Sequence, residues 1–123
     1  MAKIRADRIK ETSLFTGTND VALLGATTGF KAFGDVCQDG DTFDYAITHE
    51  NTPDWETGTG TYISSTNTVA RTTVTGSSNS NNKVDFGAGY KSIFITVNSN
   101  TFTELDKTIS KTAATALAVA LGA

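Results

Sequence analysis

The sequence predicts a mainly β fold, a small antiparallel β-sandwich or barrel followed by a C-terminal α-helix. Three observations lead there. The 123 residues include 22 threonines and 11 glycines, and threonine prefers a pleated, half-exposed strand to a helix interior. Short apolar stretches of period two recur at roughly 8–12-residue spacing between turn residues, the rhythm of small sandwiches and barrels. After residue 100 glycine is absent until Gly122 and alanine takes over. The break divides the chain into a β domain, 1–98, and a helical attachment segment, 99–123.

The first strand is expected over 7–13, where charged and apolar residues alternate. Apolar stretches at 21–24 and 30–33 follow, split by Gly25 and Gly29. Asp39-Gly40-Asp41 is a turn signal. It leads into a strand over 42–48 in which Phe43, Tyr45 and Ile47 point one way. Asn51-Thr52-Pro53-Asp54 breaks that strand, and β character resumes from Trp55 to Ile63. Gly58 and Gly60 within it suggest a bulge or a close backbone approach. Residues 64–67 form a hairpin turn and 69–74 the returning strand. The six small polar residues at 77–82 read as an exposed loop. Residues 84–86 and 90–97 close the β region. No crossover helix fits between these strands, which disfavours parallel βαβ units.

Thr101-Phe102-Thr103-Glu104 matches a capping box, so a helix is expected over 102–121, with Gly122 as its stop. Leu105, Ile109, Ala113, Ala116, Leu117 and Ala120 fall on one face at helical spacing and form the candidate partner or oligomer contact. Their side chains shrink toward the end, which suits close helix packing.

Composition excludes several function classes. One cysteine, Cys37, makes no internal disulfide and no multi-thiolate zinc site, and one histidine, His49, makes no two-histidine metal centre. A net charge of −3 without a basic block argues against nucleic acid. The charged N-terminus lacks the apolar run of a signal peptide, and no segment reaches the roughly 20 apolar residues of a membrane span. Cys37 and His49 would need mutual contact and a lowered thiol pKa to act as nucleophile and base. The aspartates beside Cys37 oppose a thiolate, so a small residue near a turn is expected there. Asp35, Asp39, Asp41 and Asp44 are the densest acidic group, yet they lack a calcium loop's spacing and terminal glutamate. Glu50, Asp54 and Glu56 around Trp55 are expected on a solvated face. Trp55, Tyr45, Tyr62 and Tyr90 are expected in the core, with stacking on glycans as the other reading. Gly58-Thr59-Gly60 and Gly87-Ala88-Gly89 lack the following helix or lysine of a phosphate cradle.

One ordered string of partial motifs points to a family. It runs Asp7-Arg8-Ile9-Lys10-Glu11-Thr12-Ser13, Gly17-Thr18, Leu23-Leu24-Gly25-Ala26, Gly29-Phe30, Phe33 and Asp39-Gly40-Asp41. It continues through Tyr45-Ala46-Ile47, Trp55-Glu56, Gly58, Gly60-Thr61-Tyr62, Asn67-Thr68, Arg71-Thr72, Val74, Ser77-Ser78-Asn79, Val84, Phe86-Gly87-Ala88-Gly89, Lys91 and Phe94. The string resembles a small module of tailed-bacteriophage virion proteins, over roughly residues 5–97. Thr57 and Thr59, where larger apolar residues are expected, and the inserted-looking stretch from Glu50 to Pro53 depart from it.

The resemblance implies a non-enzymatic virion structural protein that needs no cofactor. It implies a homo-oligomer, threefold by analogy, attached to the capsid or tail as a head decoration, a fibre base or a tail adaptor. Expected partners are other virion proteins (capsid, portal, tail or fibre) and copies of itself, assembled in the host bacterial cytoplasm. The alternative is a carbohydrate-binding module contacting host surface glycans through Trp55 and the tyrosines.

Overall fold

Along the middle of the chain, every second side chain turns inward. β3 (Thr42–His49) buries Phe43, Tyr45, Ile47 and His49 on one face. β4 (Trp55–Ile63) buries Glu56, Gly58, Gly60 and Tyr62. β5 (Thr68–Ser77) adds Val69 and Arg71. Period-two pleating puts these residues on the inner wall of the sheet. The fold is known from a computed structural model, which describes residues 2–99 and 101–109.

Three shorter strands complete the sheet, β1 (Lys10–Ser13), β2 (Val21–Ala22) and β6 (Lys91–Ile95), in the order β1-β6-β3-β4-β5-β2 with every pairing antiparallel. The two ends of this order meet through the segment that contains β2. Val21 and Ala22 pair with Val69 and Thr68 of β5. The same segment then crosses to β1, where Leu24 N–H donates to Thr12 O at 3.0 Å and Thr12 N–H to Gly25 O at 3.2 Å. One bridge, Glu11 with Ala26, reinforces the seam. The sheet thereby approaches a closed barrel, which removes most free strand edge.

Loops plug both mouths with aromatic rings. At one, Phe15 and Phe86 meet edge to face with centroids 5.3 Å apart. At the other, a 3-10 turn, Phe33–Asp35, sets Phe33 against Phe43 at 4.8 Å. Cys37 and Tyr62 belong to the same buried core.

The glycines in β4 act as expected. A Cβ on Gly58 would lie 2.1 Å from Thr73 O, and one on Gly60 2.8 Å from Val69 Cγ1 and 3.1 Å from Phe43 Cε2. The register of β4 against β5 shifts beside each of them. Bulges here bend the strand, and the missing side chains leave space for the Phe43 and Tyr45 rings.

Four expectations are corrected. Residues 30–33 form no strand, because Phe30 N–H closes a turn onto Thr27 O and Phe33 starts the 3-10 turn. Of residues 84–86 only Phe86 pairs, in a single bridge to Gly17. The first strand begins at Lys10, not at residue 7, since Arg8 adopts a left-handed φ of 64° that breaks an extended run. The capping box lies three residues earlier than 101–104: Thr101 N–H donates to Asn98 Oδ1 at 3.1 Å, and Asn98 N–H to Thr101 Oγ1 at 3.2 Å. Helix α1 is described at Ser99 and over 101–109. Ala113, Ala116, Leu117 and Ala120 lie outside the described residues.

Candidate functional site

The groups that could carry chemistry are held in structural bonds. Inside the barrel, Arg71 and Glu56 form a fully buried ion pair, Nη1 to Oε1 at 2.9 Å. Glu56 also accepts from Val84 N–H at 2.8 Å and from the Tyr45 hydroxyl at 2.6 Å. Burial, and then the hydrogen bond to Glu56, pushes the Tyr45 hydroxyl far above the ordinary phenol range. Arg71 donates further to the carbonyls of Gly17, Asn19 and Val84. A buried ion pair persists when its remaining donors and acceptors are met in this way. These bonds stitch the loops over one mouth of the barrel to β4 and β5.

Lys91 is likewise buried. Its Nζ donates to Gly87 O at 2.7 Å and Gly89 O at 2.6 Å, and burial lowers its pKa. Asn51 N–H donates to His49 Nδ1, so the ring proton sits on Nε2 and is given to Ala88 O at 2.9 Å. Both ring nitrogens of His49 are thus engaged, neither of them with Cys37. Burial and the nearby Asp41 push the Cys37 thiol up to about 11, which keeps it protonated at neutral pH. The structure does not bring the pair together.

The acidic residues are also dispersed. Asp35 accepts from Ala32 N–H, Asp39 from Ser64 N–H, and Asp41 from Ala2 N–H and Gln38 N–H. Among the described residues, no three His, Cys, Asp or Glu side chains gather into a possible metal site. No described helix is long and apolar enough to cross a membrane.

The most organised polar cluster on the outer surface is the base of α1. Asp44, on the outer face of β3, accepts from Lys3 at 2.8 Å, from the Thr59 hydroxyl at 3.2 Å and from the Thr101 hydroxyl. Lys3 bridges on to Glu104 of the helix at 3.0 Å, and Arg5 approaches the same carboxylate at 3.6 Å. Burial pushes the Asp44 carboxyl up, but the hydrogen bonds from Lys3 and Thr101 outweigh it and leave the group below the ordinary carboxylate range. The first turn of the helix is therefore fastened to β3, β4 and the N-terminal segment together. A groove of about 300 Å³ beside this base is lined by Ile4, Ala6, Ile95 and Val97, with Arg5 and Arg8 among its polar residues.

Thr101 and Glu104, one helical turn apart, face the barrel. Phe102, Leu105 and Ile109 repeat at the same spacing on a neighbouring face and stand 61%, 41% and 65% exposed. Leu105 and Ile109 are thus exposed contact candidates, and Phe102 joins them. In the sequence Phe102 falls inside the expected cap, which hid its part in the row.

The aromatic residues divide. Tyr45 and Tyr62 are buried, whereas Trp55 and Tyr90 are 42% and 54% exposed. Glu50, Asp54 and Glu56 do not share one solvated face, because Glu56 is in the core. No known family, curated protein or solved structure matches the chain.

Proposed function

We propose that this protein is a non-enzymatic structural component of a tailed-bacteriophage particle, a homo-oligomer whose barrel is the rigid body and whose helix α1 makes the attachment. One observation carries the reading: a helix fastened to the barrel along one row presents a second row, Phe102, Leu105 and Ile109, to the outside. A stripe of large apolar side chains held in fixed orientation is suited to burial against a partner. The motif string over roughly residues 5–97 supports the virion setting. The burial of Cys37 as a protonated thiol and the engagement of His49 and the core carboxylates in structural hydrogen bonds accord with a role in shape and contact.

The test keeps the chain whole. Leu105→Asp with Ile109→Asp places two charges in the exposed row without touching Asp44, Thr101 or Glu104. The expected result is dissociation of the oligomer in sedimentation and a fall in particle occupancy of about tenfold or more, as for loss of interface anchors. The melting temperature should stay within a few degrees of wild type, since the substituted side chains are exposed. Unchanged oligomer mass and occupancy would overturn the proposal.

A further inference from the structure

At the end of the sheet away from the helix base, two exposed aromatic residues flank a short polar row. Thr48 of β3 pairs with Trp55 of β4 on one side and with Ser92 of β6 on the other. Tyr90 lies two residues before Ser92, and its carbonyl accepts from Glu50 N–H at 2.9 Å. Lys91 points into the core, and its neighbour Ser92 shares the outer face of the sheet with Thr48 and Trp55 but is only 4% exposed, whereas Tyr90, just before β6, stands 54% exposed. Strands lie about 4.8 Å apart and residues about 3.3 Å apart along a strand, so two strand spacings and a two-residue offset put the two aromatic positions roughly 12 Å from each other.

The exposed members, Thr48, Glu50, Trp55 and Tyr90, are open to a ligand, with the buried Ser92 beneath them. The benzene half of the Trp55 indole rests on Gly76, where a Cβ would fall 3.5 Å from Cζ3 and 3.7 Å from Cη2. That end of the ring packs beside the sheet while 42% of the residue remains open. Glu50 is exposed, and one of its oxygens accepts the Ser92 hydroxyl. Thr48, itself exposed, lies between Trp55 and Ser92 in the pairing register.

We infer that this face binds an oligosaccharide, with Trp55 and Tyr90 stacking on two rings of one sugar chain and Thr48 and Glu50 taking its hydroxyls. A pyranose has an apolar face of C–H groups and an edge of donors and acceptors, which asks for aromatic platforms separated by short polar side chains. A protein partner would be met by a continuous apolar centre depleted in charge, whereas everything between Trp55 and Tyr90 here is polar. Single aromatic platforms with a few placed polar groups are the usual means of orienting a small ligand. This inference is independent of the attachment proposed for α1.

Trp55 is the only tryptophan in the chain, so its emission reports directly on the site. The full-length protein is titrated with soluble tri- to hexasaccharides of glucose, galactose, rhamnose and N-acetylglucosamine, and binding is also scored on a glycan array. At least one sugar series should give a saturable blue shift and an array signal. Tyr90→Ala should weaken both by about tenfold or more, Trp55→Ala should abolish the array signal, and Leu24→Ala, at an exposed apolar residue two positions past β2, should change nothing. A panel that neither shifts the emission nor binds on the array overturns the inference. Binding unaffected by Tyr90→Ala and Trp55→Ala overturns it as well. Should Trp55→Ala fail to fold, Tyr90→Ala alone decides. Particle occupancy is read in parallel, and its loss in these variants would count against the attachment through α1 and leave the sugar result standing.

Discussion

Gly58 illustrates how much a single position constrains this barrel. Its inward Cβ site is occupied by Thr73 O at 2.1 Å and the Tyr45 hydroxyl at 3.0 Å, so any side chain must displace backbone of the neighbouring strand. Gly87 lies in a loop with nothing within 4 Å of its Cβ site. Gly58→Ala should therefore lower unfolding stability by about 1–3 kcal/mol, the usual range for overpacking, and Gly87→Ala should stay within about 0.5 kcal/mol of wild type. Urea melts compare the two, and equal midpoints would refute the close approach. The need for a small residue at 58 was legible, because glycine weakens a strand interior and is kept there where backbone must come close or bulge. That Glu56, two residues earlier, is a core residue was not. A carboxylate beside a tryptophan reads as surface, and its partners Arg71 and Val84 are 15 and 28 residues away.

At the scale of elements, α1 owes its orientation to side chains from three separate places in the chain. Asn98 and Thr101 cap it reciprocally, and Asp44 and Lys3 hold its first turn from outside. The helix was legible from its apolar spacing, but the fastening was not, since Asp44 and Thr101 are 57 residues apart. Asp44 also looked like one member of an acidic group, and only the fold separates its role from those of Asp35 and Asp39. Its lowered pKa sets the sign of the pH effect. A depressed carboxylate contributes stability above its unfolded pKa, near 3.8, and that contribution is lost as pH falls through the folded value. Amide protection of residues 101–109 should accordingly drop on acidification below about pH 4, while the β3–β4 amides stay protected. Asp44→Asn should show the weakened helix protection already at pH 7 and no further acid step at this site. Protection that is identical in the two proteins across this range would exclude Asp44 as the fastener.

For the whole molecule the question is what closes the sheet. The β3-β4-β5 meander was legible in its order and turns, because long strands, a turn at 64–67 and period-two burial act locally, although β5 runs three residues past the expected 74 and buries Ser77, which reads as loop. Closure is non-local: β1 pairs with β6, at opposite ends of the β domain, and the seam beside β1 is made by a segment too irregular to carry a strand pattern. Glu11 is the device that makes the seam possible. It lies on β1, is 1% exposed, and takes Gly25 N–H at 2.9 Å on one oxygen and Phe33 N–H at 2.8 Å on the other. Both donors come from irregular backbone, which would otherwise leave buried amides unsatisfied. An amide in place of the carboxylate offers one acceptor and turns an N–H₂ toward the second donor. Glu11→Gln should thus destabilise by about 1–3 kcal/mol, the range for a stranded buried polar group. Hydrogen exchange should locate the damage, with Thr12, Leu24 and Thr27 exchanging faster while the β3–β4 amides keep their protection. A uniform loss of protection would mean that Glu11 supports the barrel as a whole, and unchanged stability would mean that the seam holds without it.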